Sequence, residues 1–272
     1  MTAIAKLLRS MLPALPLGLA ACAGALYAWA LAPGAPAALA WIALVPLFAA
    51  CSLARPALAA LCGVVYAVVA TVLLADWFPG MLQRFFGASE AGSWLGWLGL
   101  MLLVNAPAYA LLCGWLAWRG ARAPVAPLGV GAAWLLAEWL RASGPVPNPY
   151  ALLATSQVGT AFAQSADALG ALGVGAIVAA GNAALAWLLL ARLRGARPLR
   201  PVALALGAIL LAYGYGTWRG SLEYADPDAA PVRVAVVQPA SGSEEARAHA
   251  LAQLLSLTEG ARAAAPRLVF WP

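Results

Sequence analysis

Three acidic residues, Asp76, Glu138 and Asp167, lie within or beside long apolar stretches of this sequence. A charged side chain at membrane depth is costly unless it is paired or hydrated, so such residues mark structural pairs or functional sites. Asp76 and Asp167 lie close to the ends of apolar stretches, which favours simple exposure at a membrane surface. The single histidine, His249, lies in a polar run, and no Ser/His/Asp set can be assembled around it.

Glu138 and Arg141 are three residues apart, a spacing that places both side chains on one face of a helix. Two interpretations follow. The two charges neutralise each other as a structural ion pair or interfacial anchor, or they line a site for a lipid headgroup. Asn182, within another apolar stretch, is expected to form hydrogen bonds between helices rather than to bind a ligand.

A proline-rich segment, 144–150, is followed by the polar side chains of Ser156, Gln157 and Gln164. A loop of this composition is either a rigid connector or the lip of a pocket. The four cysteines, Cys22, Cys51, Cys62 and Cys113, all lie in apolar segments without a CxxC or His/Cys pattern. They are predicted to be small packing residues, and no metal or cofactor is predicted.

The composition indicates an integral membrane protein. Hydrophobic residues make up 64% and charged residues 10% of the chain, against about 45–50% and about 25% in globular proteins. The net charge of +6 does not indicate a nucleic-acid partner, because the basic residues lie in short gaps between apolar runs.

A bilayer core of about 30 Å requires about twenty apolar residues per helix. On that basis seven spans are predicted: Pro13–Leu31, Ala37–Leu53, Pro56–Phe78, Trp94–Trp118, Val125–Ser143, Ala166–Leu190 and Pro201–Trp218. With a cytoplasmic N-terminus, nine basic residues fall on the inner side and only Arg84 and Arg141 on the outer side. This asymmetry predicts that the residues after Trp218 are extracytoplasmic.

The character of the sequence changes near Tyr224. We predict a membrane domain over 1–220, a linker over 221–231 and the start of a soluble domain over 232–272. Val232–Val237 and Leu268–Phe270 have the pattern of strands buried on both faces, and Ser243–Ala264 that of an amphipathic helix. This order predicts a βαβ unit with parallel strands, whose reactive groups would follow Gln238 and Trp271.

Several motifs occur in a characteristic order: Trp134-Leu-Leu-Ala-Glu-Trp-Leu-Arg141, Ser156-Gln157, Gln164, Gly170, Asn182-Ala-Ala-Leu185, Val-Arg-Val-Ala-Val-Val-Gln-Pro and Leu-Val-Phe-Trp-Pro. Together they resemble the bacterial apolipoprotein N-acyltransferases over essentially the whole chain. The resemblance implies a membrane α-helical bundle of about seven spans, followed by the first βαβ unit of an incomplete α/β nitrilase-like domain.

The resemblance further implies an inner-membrane enzyme that transfers an acyl chain from a phospholipid to the N-terminal diacylglyceryl-cysteine of a lipoprotein. The family uses a Glu as general base, a Cys that forms a thioester and a Lys that supports the oxyanion. The Glu would directly follow Trp271-Pro272, with the Lys and Cys further on. We therefore expect these 272 residues alone to be inactive.

No catalytic residue is assigned within the sequence. Trp218 matches, by position, a family tryptophan near the active site, and Trp218, Glu138, Arg141 and Gln157 are predicted to bind substrate. Two alternatives stay open: a non-enzymatic membrane protein, either a lipid-binding scaffold or a transporter, and a membrane-anchored amidase of the nitrilase type. Against a transporter, the sequence shows no intramembrane charge relay and no repeated half.

Overall fold

The computed structural model describes residues 14–194, 199–222, 230–239 and 249–271. The chain divides into two compact units, Met1–Leu222 and Glu223–Pro272. The first unit is a helical bundle and the second contains two short strands and a helix.

The helices of the first unit follow the apolar stretches of the sequence. Short 3-10 turns occur at Ala37–Leu39 and Leu153–Gln157. The α-helices are α1 (Ala14–Ala30), α2 (Ala40–Ala43), α3 (Val45–Leu53), α4 (Pro56–Leu74), α5 (Trp77–Phe86), α6 (Glu90–Val104), α7 (Ala106–Gly120), α8 (Pro127–Ser143), α9 (Ala161–Gln164), α10 (Ala166–Arg194) and α11 (Leu199–Gly220).

Each predicted span falls on one or more of these helices, but the number of spans is not confirmed. Within the described residues, α4, the 166–191 part of α10 and α11 are long and apolar enough to cross a membrane. The consecutive helices α6 and α7 make a fourth candidate if they count as one bent span. Ala14–Ala30 and Ala37–Leu53 are apolar but shorter.

Several predicted spans are interrupted in the structure. The span predicted over Ala37–Leu53 is divided into a 3-10 turn, α2 and α3. The span predicted over Pro56–Phe78 ends at Leu74, and the separate helix α5 begins at Trp77. The span predicted over Trp94–Trp118 begins earlier, at Glu90, and bends by 43° between α6 and α7. Pro107 explains the bend, because a proline has no N–H to continue the hydrogen-bond ladder of the preceding helix.

Small residues allow the helices to approach closely. A Cβ atom at Gly63 on α4 would overlap the carbonyl oxygen of Tyr109 on α7, and one at Gly131 on α8 would overlap that of Ala176 on α10. Close backbone contact through small residues is the usual way in which helices associate in lipid. Cys51, Cys62 and Cys113 are buried in this bundle as predicted, whereas Cys22 is exposed.

The second unit contains β1 (Val234–Val236), α12 (Ala250–Ala261) and β2 (Leu268–Phe270). The strands pair in parallel with Val234 opposite Leu268, which confirms the predicted pairing. The predicted start of the helix at Ser243 lies outside the described residues. The prediction of strands buried on both faces is wrong, since Val236 is 76% exposed and all of β2 is exposed. Two strands and one helix offer too little surface to cover both faces.

Candidate functional site

A cavity of about 200 Å³ lies within the helical unit, between α1, α4, α6, α7 and the segment that follows α8. Asn105, Arg141 and Asn148 are polar residues of its lining. Leu74 and Phe78 belong to the apolar part of the lining. The cavity is therefore amphipathic, with a polar side next to the end of α8 and an apolar side next to the start of α5.

Aromatic rings support the polar side. The rings of Tyr66 and Tyr109 meet edge to face with centroids 5.0 Å apart, and Tyr27 meets Tyr66 in the same way at 5.5 Å. Trp134 packs against Tyr109 at 5.3 Å. These contacts join α1, α4, α7 and α8 and hold the rings in place, as edge-to-face aromatic pairs commonly do.

Arg141, near the C-terminal end of α8, is only 4% exposed. Its guanidinium group donates hydrogen bonds to the carbonyl oxygens of Asn148 at 2.8 Å, Tyr150 at 2.6 Å and Ala151 at 3.4 Å. The prolines of the 144–150 segment prevent a regular backbone ladder, so these carbonyls need another donor. Arg141 supplies that donor and folds the segment back over the end of α8.

Glu138, one turn earlier on α8, is fully buried. Its Oε1 atom accepts a hydrogen bond from the backbone N–H of Leu153 at 2.8 Å and lies 3.5 Å from the hydroxyl of Tyr27. Its Oε2 atom has no hydrogen-bond partner among the residues that the structure describes. Glu138 therefore anchors the 3-10 turn that begins at Leu153, while Arg141 anchors the segment before it.

Glu138 and Arg141 do not form the direct ion pair that their spacing suggested. Among the described residues, the ion pairs within 4 Å are Asp167 with Arg219 and Glu259 with Arg262. The reason is that the 144–153 segment provides backbone partners to both side chains. The helix spacing brings the charges to one face, but tertiary contacts determine what each one binds.

The proline-rich segment forms a lip of the cavity, one of the two roles that its composition allowed. Asn148 and Tyr150 both line the cavity. Asn148 donates to the side chain of Asn105 at 3.1 Å, and Asn105 donates to Thr71 on α4 at 3.3 Å. The Tyr150 hydroxyl donates to the carbonyl of Leu74 at 3.2 Å. Asn105 lies at the bend between α6 and α7 and is a site residue that the sequence analysis missed. A side-chain amide within an apolar run could have indicated it.

Gln157 and Trp218, two of the predicted substrate-binding residues, do not line this cavity. The Gln157 side chain is buried, accepts from Trp41 at 3.2 Å and donates to Ala37 at 3.2 Å and to Ser156 at 2.9 Å. All these contacts are internal to the bundle. Trp218, near the end of α11, is 58% exposed and packs its ring against Tyr215.

Asn182 and the two remaining acidic residues behave largely as predicted. Asn182 is buried, accepts from the N–H of Leu44 at 2.8 Å and donates to the carbonyl of Ala40 at 2.9 Å, which confirms a bond between helices. Asp76 is exposed. Asp167 is also exposed, but it forms an ion pair with Arg219 that the sequence analysis did not predict.

The apolar helical bundle with a buried polar centre defines a membrane protein with an internal amphipathic cavity. The family model of the apolipoprotein N-acyltransferase N-terminal domain matches residues 23–184. This match spans more than half of the chain, and the protein belongs to this family. The matched region includes Glu138, Arg141 and Gln157, whereas Trp218 lies after it. No match to a curated protein was found.

Proposed function

We propose that this chain supplies the membrane domain of an enzyme that transfers an acyl chain from a phospholipid to the N-terminal diacylglyceryl-cysteine of lipoproteins. The observation that carries the proposal is the family match over residues 23–184, which includes the polar centre at Glu138 and Arg141. Acyltransferases of this kind act on lipids and lipoproteins, and an amphipathic cavity in the bundle suits such substrates.

The residues present favour a role in substrate handling rather than in bond making. Acyl transfer through a thioester would require a Glu, a Lys and a Cys that act together. Lys6 is the only lysine in the printed sequence, and it precedes the first predicted span. The four cysteines all belong to the helical unit, where three of them are buried. We therefore assign no catalytic role to Lys6 or to any of the four cysteines.

Four residues are proposed to serve the substrates. Arg141 lines the cavity. Glu138 positions the lip segment because it accepts a hydrogen bond from the N–H of Leu153. Gln157 is proposed to act as a positioning residue, since it joins the 3-10 turn to Trp41 and Ala37. Trp218 presents an exposed indole at the end of α11, where an acyl chain could pack against it.

The proposed location is the bacterial inner membrane, with the N-terminus in the cytoplasm and the residues after Trp218 outside it. The arginine asymmetry supports this orientation. In this orientation the membrane is crossed seven times. The crossing elements are α1, the broken helix over Ala37–Leu53, α4, the bent pair α6 and α7, α8, α10 and α11. The C-terminal ends of α1, α4 and α8, which line the cavity, would then face the outer leaflet.

A complementation experiment tests the proposal. Residues 1–270 would replace the corresponding segment of an active apolipoprotein N-acyltransferase in a strain depleted of its own enzyme. We expect the hybrid to restore triacylated lipoproteins, measured by mass spectrometry of their N-terminal peptides. Arg141→Gln in the hybrid is expected to abolish the product, because it removes both the cavity cation and the contacts to the lip.

The matched control is Arg122→Gln. Arg122 lies on the exposed end of the bundle after α7, where it stacks on Trp118 with 4.0 Å between the guanidinium carbon and the ring centroid. The control hybrid should remain active. A hybrid that is inserted in the membrane at normal level but gives no triacylated product would refute the proposed function.

A further inference from the structure

We propose that helix α5 lies along the membrane surface and inserts one side into the boundary between the lipid headgroups and the acyl chains. The inserted side is formed by Trp77, Met81 and Phe85, and its partner is the bilayer itself. This inference goes beyond the proposed function and does not depend on it. It concerns how the bundle contacts the membrane, whereas the proposed function concerns which reaction the bundle serves.

The side chains of α5 fall on three sides of the helix. Successive residues of an α-helix are about 100° apart, so residues three or four positions apart share a side. Grouped in this way, they form a lipid side (Trp77, Met81 and Phe85), a protein side (Phe78, Pro79 and Leu82) and a polar side (Gly80, Gln83 and Arg84). On the protein side Pro79 is buried and the other two residues are half-buried. The bundle therefore covers one apolar side of α5 and leaves the other open.

The lipid side is apolar but remains exposed. Trp77 is 53% and Phe85 46% exposed, and Met81 between them is half-buried. The whole polar side is also exposed. Open apolar and polar sides on one helix are typical of helices that lie in the membrane interface. Tryptophan favours this depth, and the long side chain of Arg84 can reach the headgroups from it.

The position of α5 in the chain places it at a membrane surface. Helix α4 ends at Leu74 and the bent pair α6 and α7 begins at Glu90, and both are candidate spans. Helix α5 has ten residues, about 15 Å, and cannot cross a bilayer core of about 30 Å. Asp76 and Glu90, at the two ends of the connection, are both exposed. Their carboxylates hold the connection near water, because a charge deep in lipid is costly.

The C-terminal end of α5 is closed by its own backbone. Gly87 adopts a left-handed conformation with φ of 64°. Its N–H donates to the carbonyl of Gln83 at 3.1 Å, and the N–H of Ala88 donates to that of Leu82 at 3.5 Å. These bonds satisfy carbonyls that a helix end otherwise leaves to water. Such an end suits a helix in the interface, where unsatisfied backbone groups are costly.

The exposed area favours the bilayer over a protein partner. Aromatic side chains bury about 150–250 Å² each, so the exposed halves of Trp77 and Phe85 together offer only about 200 Å². A stable protein interface needs about 800 Å² on each partner. The bilayer needs no such area, because the flanking spans already hold α5 at its surface. Since Trp77 and Phe78 also line the cavity, its apolar side would lie at the depth of this surface.

Spin labels on single cysteines test the depth of α5. The full chain, in a Cys22→Ser background, is reconstituted as single copies in phospholipid nanodiscs. A nitroxide is attached to Phe85→Cys on the lipid side or to Gln83→Cys on the polar side. The other three cysteines are buried and stay unlabelled in the folded bundle. Collisions with oxygen, which concentrates in lipid, and with a water-soluble nickel complex give the depth of each label.

We expect the label at Phe85→Cys to lie about 5–10 Å below the phosphates, as the apolar sides of interfacial helices do. The label at Gln83→Cys is the matched control, only two residues away, and should lie in water. Leu103→Cys on α6 is the deep reference, because Leu103 is 69% exposed near the middle of the bent pair. Its label should lie close to the bilayer centre, at about 15 Å. Trp77→Cys provides a second label on the lipid side and repeats the test if Phe85→Cys does not insert.

Three results would overturn the inference. Labels at Phe85→Cys and Gln83→Cys that are both in water would show that α5 stands away from the membrane. Labels that are both as deep as Leu103→Cys would place α5 inside the bilayer core. A Phe85→Cys label shielded from oxygen and nickel alike would show that protein covers this side. Because the depth is measured without turnover, its outcome is independent of whether the hybrid enzyme makes triacylated lipoprotein.

Discussion

Replacing Gly63 with alanine tests the close helix packing that holds the cavity walls together. Gly63 on α4 faces the backbone of α7, and a Cβ atom at this position would overlap the carbonyl oxygen of Tyr109. It would also lie 2.5 Å from the Tyr109 carbonyl carbon and 2.8 Å from the nitrogen of Ala110. These atoms belong to a helix backbone, so no side-chain rotation can relieve the overlap.

The magnitude follows from the separation that the substitution requires. An ordinary van der Waals contact needs about 3.5 Å, so α4 and α7 must separate by about 1 Å. Overpacking of this kind lowers the free energy of unfolding by about 1–3 kcal/mol. Because the overlap is with backbone atoms, we expect a loss of about 3 kcal/mol for Gly63→Ala. For a unit of this size the loss corresponds to a fall in unfolding temperature of about 6–12 °C.

The cysteines of the chain provide the assay. Cys51, Cys62 and Cys113 are buried and would react with a thiol-reactive fluorophore only as the bundle unfolds. Cys22 is exposed, so the measurement uses a Cys22→Ser background in detergent. Fluorescence is recorded while the temperature rises, and the midpoint gives the unfolding temperature of each variant.

Gly114→Ala is the matched control in the same interface. A Cβ atom at Gly114 on α7 would lie 3.4 Å from the Cβ of Ala60 and 3.5 Å from the carbonyl oxygen of Pro56, which are ordinary contacts. Alanine also has the higher helix propensity, so this variant should be as stable as the parent or slightly more stable. If Gly63→Ala and Gly114→Ala unfold at the same temperature, the close approach of α4 and α7 is wrong.

Substitutions at two further positions test the buried polar contacts by the same fluorophore assay. Asn182→Ala leaves the N–H of Leu44 without its acceptor and should lower the free energy of unfolding by about 2 kcal/mol. Asn182→Leu should be equally unstable, because a leucine side chain cannot accept the hydrogen bond either. Glu138→Gln keeps an oxygen that accepts from the N–H of Leu153, so its unfolding temperature should remain close to that of the parent. Glu138→Leu has no acceptor and should lose about 2 kcal/mol of the free energy of unfolding. Equal unfolding temperatures for the Gln and Leu variants would contradict the assigned role of Glu138.

The sequence alone was sufficient to predict the type and position of most helices and strands. Apolar runs predicted the helices because lipid-facing and core-facing positions are both hydrophobic, and this property is local. The same local reasoning predicted the parallel pairing of β1 with β2, since a helix lies between the strands. It did not predict the bend at Asn105 or the separate helix α5, because both interrupt apolar runs of nearly uniform composition.

The candidate site was only partly predictable. Glu138 and Arg141 stood out because charges are rare in apolar helices, and their common face followed from helix geometry. Their partners did not follow, since both side chains bind the backbone of the segment after α8 rather than each other. Tyr66 and Trp97 carried no signal in the sequence, because an aromatic residue in a span is ordinary until its neighbours are known.

The sequence by itself determined that this is a membrane protein related to the apolipoprotein N-acyltransferases, because composition and motif order are properties of the chain. Only the tertiary structure decided that residues of α4, α6 and α8 line one cavity. Tyr66, Trp97 and Arg141 are far apart in sequence, and helix packing through small residues such as Gly63 brings them together. Hydrophobicity specifies which segments are helices, whereas the fit between helix surfaces specifies which side chains meet around a cavity.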